Sequence, residues 1–133
     1  MIPRWLLPVV VIVPLLFLWT GCGKKMTADE MFAKANKFQE ERNFKEAVHT
    51  YEDITIKYPK SEFAAKAQFM IGFVYANEIK DLEKARKAYN RFLEKYSDLS
   101  DSGMVSSARW ELANLGKDIN EIDILNPGVE LQE

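Results

Sequence analysis

Apolar positions recur every three to four residues along most of the chain, and breaks in that rhythm divide it into helical segments. The segment "MTADEMFAKANKFQEE" sets Met31, Phe32, Ala35 and Phe38 at helical spacing behind Thr27 and Glu30, which stand in capping-box spacing. In "RNFKEAVHTYEDITIKYPKS" the device repeats, with Asn43 as N-cap, Glu46 three residues later, and Ala47, Val48, Tyr51 and Ile54 on one face; Pro59 stops the helix. A third helix, roughly Glu62 to Ile79, starts after Ser61 and carries the small, apolar run "AAKAQFMIGFVYA". Asp81 caps a fourth, "LEKARKAYNRFLEKY", with Leu82, Ala85, Tyr89, Phe92 and Tyr96 on its stripe. A fifth spans about Gly103 to Leu115, with Gly116 in the C-cap role. Nothing alternates with the period of a strand, so the pattern predicts an all-α fold.

Two of these segments are copies of each other. "NFKEAVHTYEDITIKYPKS" and "DLEKARKAYNRFLEKYSDL" align without a gap, pairing Ala47 with Ala85, Tyr51 with Tyr89, Ile54 with Phe92 and Tyr58 with Tyr96. A period in the thirties implies stacked αα-hairpins, none able to bury its apolar face alone. The small residues Ala35, Ala47, Gly72 and Ala85 are expected where two helices cross closely. The last helix answers the third, with Ala108, Trp110, Leu112 and Ala113 at the places of Ala67, Phe69, Ile71 and Gly72.

These residues resemble the tetratricopeptide repeat. Met31, Ala35, Phe38, Ala47, Tyr51 and Pro59 occupy the pattern in the first copy, with Lys34 in place of the usual leucine; Ile71, Gly72, Tyr75, Ala85 and Tyr89 occupy it in the second, with Gln68 in place of the large residue. The resemblance implies a tetratricopeptide-like αα-hairpin superhelix of two repeats plus a C-terminal capping helix. With "KSEFAAKA" between the copies and the form A-x-F-x-I-G-x-x-Y, the chain is similar in particular to BamD-type envelope assembly lipoproteins and to the C-terminal domain of the Tol-Pal coordinator.

The amino-terminal residues depart from the helical rhythm. Between Trp5 and Trp19 there is no charge, Arg4 precedes the run, and Thr20 and Gly21 lead into Cys22, the single cysteine. A positive start, a short apolar stretch and a small-residue exit are the layout of a secretory leader, too short for a comfortable span of about 20 residues. With the cysteine, the exit resembles a bacterial lipobox, although Trp19 stands where that pattern usually has Leu. The implied organisation is a signal peptide over 1–21, a lipidated tether over 22–27, the repeat domain over 28–116, and a short turn and mobile tail over 117–133. By the same resemblance the domain is held on the periplasmic face of the envelope, at the outer membrane, by lipid on Cys22. The alternative is an uncleaved anchor with an incidental cysteine.

Charge and chemistry narrow the function further. Removing the leader takes Arg4 and no acid, so the formal charge moves from −2 to −3; this weak acidic excess argues against a nucleic-acid partner, since phosphate binding needs a basic stripe. No glycine-rich phosphate loop, nucleophile elbow or CxxC pair occurs. His49 is the only histidine and is expected exposed in mid-helix, and no set of ligands has metal spacing. The expectation is no enzyme, no cofactor and no metal. What remains is surface. In repeats of this family the first helix of each hairpin lines a groove, which here selects Phe32, Asn36, Phe69, Phe73, Trp110 and Asn114: an aromatic ladder with asparagines suited to a peptide backbone. For Phe69 and Phe73 the competing reading is packing between hairpins. The sequence thus predicts a membrane-anchored protein–protein interaction scaffold for envelope assembly or maintenance, whose partners are envelope proteins or peptide segments, or a second copy. A subunit of a secretion or cell-division machine, or an accessory delivering substrate to an envelope enzyme, are the alternatives.

Overall fold

The structure, a computed structural model, describes residues 24–118. The leader, Cys22 and the tail after residue 118 lie outside the described residues. Five helices follow one another: α1 (Ala28–Glu40), α2 (Phe44–Lys57), α3 (Glu62–Val74), α4 (Leu82–Lys95) and α5 (Ser102–Asn114), and no strand occurs among the described residues. Each helix packs on the next, and α1 also reaches α3, the arrangement of stacked hairpins that the repeat demanded.

Local chemistry sets the helix ends. The capping box of Thr27 and Glu30 opens α1, with Glu30 Oε2 accepting from the Thr27 N–H at 2.9 Å. The Ser61 hydroxyl accepts from the Phe63 N–H at 2.9 Å, and Asp81 Oδ1 from the Lys84 N–H at 3.0 Å. Such caps contribute about 1 kcal/mol each. Asn43 stands at the N-cap of α2, but its side chain makes no capping bond, contrary to expectation. The fifth helix starts one residue earlier than the pattern suggested, because Asp101 Oδ1 accepts from the Met104 N–H at 2.9 Å. The third helix continues through a widened π turn, Tyr75–Ile79, so its end agrees with the sequence reading although its last turn is not α-helical.

The hairpin turns also repeat. Arg42 (φ 60°) and Lys80 (φ 64°) each take the left-handed conformation one residue before the next N-cap. After α5, Leu115 (φ −58°, ψ 117°) and Gly116 (φ 82°) form a type II turn closed by Lys117 N–H donating to the Asn114 carbonyl at 3.0 Å. A residue at that second turn position needs positive φ, which is glycine's role there.

Tyr51, Ile54, Val74, Tyr89 and Phe92 are fully buried, and Ala35, Ala47, Ala64, Ala67, Ala85 and Ala108 fill the helix crossings between them. A large side chain fully buried stabilises by about 1.5–3 kcal/mol, before conformational entropy is set against it. At the α3–α4 crossing a Cβ on Gly72 would stand 2.7 Å from Tyr89 Cε1, so the tyrosine ring lies directly on the glycine backbone. Gln68, standing where the repeat has a large apolar residue, is buried and satisfied: its Nε2 donates to the Ala88 carbonyl at 3.0 Å and ties α3 to α4. Leu82 departs from its predicted stripe. It is 39% exposed: in the first turn of α4 it borders the Trp110 recess, with Gly116 beside it after α5, rather than lying in the α3–α4 crossing.

Candidate functional site

The first rung of the proposed ladder sits on α1. Phe32 is half-buried, its ring 5.4 Å from Tyr51 and 5.7 Å from Phe63. One turn on, Asn36 Oδ1 accepts from the Tyr51 hydroxyl at 2.6 Å, and Gln39 Oε1 accepts from the same hydroxyl at 3.1 Å. The Asn36 amide donors make no hydrogen bond among the described residues and are chemically free to meet a backbone carbonyl. The second rung, Phe69 on α3, is half-buried and meets Tyr89 and Phe92 edge-on at 5.5 and 5.8 Å. Phe73, one turn further, is also half-buried, and its carbonyl accepts from Asn77 Nδ2 at 3.1 Å.

The third rung differs. Trp110 is 51% exposed and shares with Asn114 a cavity of about 530 Å³ walled by Ala76, Leu82, Glu111 and Leu115. Asn114 Nδ2 donates to the Trp110 carbonyl at 2.9 Å, so part of its donor capacity is spent within the helix. The three rungs make no ring contact with one another among the described residues. Phe32 and Phe69 each join a tyrosine of the core, while Trp110 has no following helix to pack against among the described residues.

The two repeated tyrosines have opposite polar environments, which the pattern of apolar positions did not reveal. Tyr51 is hydrogen-bonded, but Tyr89, equally buried, has a hydroxyl with no partner among the described residues. The signal was in the repeat: at a spacing of 37, Asn36 becomes Phe73 and Gln39 becomes Ala76, so both acceptors are lost together. Burial pushes the Tyr51 phenol up to about 12. Burial raises Tyr89 as well, and the negative charge of Glu111 adds to the effect. Glu111 itself, half-buried beside Trp110, is raised by desolvation.

His49 is exposed, and no group of three His, Cys, Asp or Glu side chains among the described residues is placed to hold a metal ion. The arrangement offers aromatic faces, amides and a recessed carboxylate, the chemistry of noncovalent recognition.

The family model described as outer membrane lipoprotein, YfiO, matches residues 24–106, more than half of the chain. The chain belongs to the YfiO outer membrane lipoprotein family. This places it in the cell envelope and agrees with the all-α hairpin architecture. The match takes in Phe32, Asn36, Phe69 and Phe73 and ends within α5, before Trp110 and Asn114. No curated protein and no solved structure matches the chain. Cys22 precedes both the matched segment and the described residues.

Proposed function

We propose that this YfiO-family protein is a noncatalytic scaffold, held by lipid on Cys22 at the periplasmic face of the outer membrane, that recruits envelope proteins during assembly or maintenance. The observation that carries the reading is Trp110. An indole half exposed in a recess, with Leu82 and Leu115 beside it and an asparagine one turn away, is the kind of aromatic anchor site on which binding energy concentrates. By their place in the repeat, Phe32, Asn36, Phe69 and Phe73 would continue this surface along the preceding hairpins; each is half-buried and so able to support the core while presenting an edge to a partner.

The test is affinity purification of the tagged full-length protein from mild detergent, with the wild type beside Trp110→Ala. A defined partner held by the wild type and lost from the variant supports the surface; equal retention by both refutes it. Incorporation of labelled palmitate that persists in Cys22→Ala would remove the anchor from this reading.

A further inference from the structure

A second surface lies on a different side of α3, away from Phe69 and Phe73. At roughly 100° per residue, positions 71 and 75 fall well around the helix from 69 and 73. Here two recesses of about 380 and 600 Å³ adjoin, sharing Glu52, Tyr75 and Lys84. Their floor is Gln68, Ile71, Tyr75 and Ile79 of α3 and its π turn, and their walls come from α2 on one side and α4 on the other. From residue 68 to residue 79 the floor runs about 16 Å at the helical rise, room for some five residues of extended chain or three turns of helix.

The charge of this groove opposes that of the molecule. Arg42, Lys45, Lys84, Lys87 and Arg91 line it against the single carboxylate of Glu52, in a chain whose formal net charge is −2. Of the five cations, only Lys84 has a carboxylate partner among the described residues, Asp81 at 3.3 Å. Apolar surface accompanies the charge: Ile56 is 72% exposed at one end and Ile79 is 38% exposed at the other. Helical register explains the gathering. Lys45, Val48, Glu52 and Thr55 recur along one face of α2, Lys84, Lys87 and Arg91 along one face of α4, and α3 brings the two stripes together.

We infer that this groove binds an acidic segment of a partner protein, with apolar side chains seated on Ile56, Tyr75 and Ile79 and carboxylates facing Arg42 and Lys45 at the start of α2 and Lys84, Lys87 and Arg91 along α4. Charge complementarity identifies the occupant. A membrane surface carries the same sign of charge, but it is flat whereas these cations line a recess. Moreover Arg42 and Lys45 stand at the start of α2, while the chain from the amino terminus joins at its far end, where the Tyr58 hydroxyl donates to the Met26 carbonyl. The α2 helix is about 20 Å long, so the wider recess lies away from the segment that leads to Cys22.

The experiment uses the full-length protein in mild detergent and a fluorescein-labelled twelve-residue peptide of glutamates and leucines in helical register, followed by fluorescence anisotropy. The peptide is expected to bind, to weaken steeply as salt rises from about 50 to 500 mM, and to bind at least about tenfold more weakly to Lys45→Glu/Arg91→Glu. Trp110→Ala, which tests the other surface, should bind it normally, so failure of one reading is distinguishable from failure of the other. Both reversed residues are exposed, so circular dichroism should be unchanged; should the double variant not fold, Arg91→Gln is expected to show the same weakening to a smaller degree. The inference is overturned by absence of peptide binding, by equal binding of the peptide with lysine in place of glutamate, or by equal binding to the wild type and the charge variants. It is overturned in favour of lipid if the charge variants keep the peptide but lose adsorption to vesicles rich in anionic phospholipid.

Discussion

Removing one oxygen atom from each of two equivalent tyrosines should lower stability at Tyr51 but not at Tyr89. In Tyr51→Phe the core loses a hydroxyl that donates to Asn36 Oδ1 at 2.6 Å, with Gln39 Oε1 at 3.1 Å as a second acceptor. The one hydroxyl proton is shared between the two acceptors, and a net hydrogen-bond contribution of about 0.5–1.5 kcal/mol sets the loss, since Asn36 and Gln39 are only half-buried and recover some hydration. In Tyr89→Phe the hydroxyl removed has no partner, and burying such a group costs about 1–3 kcal/mol. Relief of that cost, less the small void left by the oxygen, makes the substitution neutral or stabilising. For a domain of this size about 1 kcal/mol corresponds to roughly 4–8 °C in Tm. Thermal melts of the full-length variants by circular dichroism should therefore show Tyr51→Phe falling several degrees and Tyr89→Phe holding or rising. Phe73→Asn should be better tolerated with Tyr89 present than in Tyr89→Phe, since it restores the acceptor that Asn36 supplies in the first hairpin. If Tyr89→Phe lowers Tm as far as Tyr51→Phe does, the Tyr89 hydroxyl is satisfied in solution and the reasoning fails.

Other perturbations test separate parts of the structure. Gly72→Ala should destabilise by about 1–3 kcal/mol, and Gly72→Leu by more, because the new Cβ meets Tyr89 ring atoms at 2.7 and 2.8 Å in a buried crossing; an unchanged denaturation midpoint would contradict that geometry. Tyr51 and Tyr89 have phenols raised above the ordinary value near 10, so the unfolded chain loses these protons first as pH rises. Their contribution is intact below about pH 10 and is lost from there up through the folded-state values, about 12 for Tyr51, at up to about 1.4 kcal/mol per pH unit for each; Tyr51→Phe should make the alkaline limb of a stability–pH curve shallower. Phe32→Ala should lower Tm through its contacts with Tyr51 and Phe63, whereas the more exposed Trp110→Ala should weaken partner capture with little change in melting.

What could be read in the sequence was whatever depends on neighbours close in the chain. Ser61 and Asp81 act as caps because a side-chain oxygen two or three residues before an N–H reaches it, and Glu30 reaches back three residues to the Thr27 N–H, all without help from the rest of the fold. Helical spacing placed Ala47, Tyr51, Ile54, Ala85, Tyr89 and Phe92 in the core, and the lack of a side chain at position 72 marked a close crossing. The leader and Cys22 were also read from local pattern alone, and they lie outside the described residues.

The satisfaction of polar atoms and the grouping of surface side chains needed the tertiary structure. Tyr51 and Tyr89 occupy the same slot of the repeat with the same burial, yet one is bonded and the other is not, because the acceptors come from a neighbouring helix and were replaced in the second copy. Leu82 and Trp110 fit apolar patterns but are exposed: each borders the same recess at the margin of the stack, where periodicity continues and no further helix covers it among the described residues. The basic groove is built from stripes on α2 and α4 some forty residues apart, each an ordinary solvated face alone. Sequence determined the faces of each helix through the 3.6-residue period; only the packing of α3 between α2 and α4 determined which faces met, because that depends on distances between residues remote in the chain.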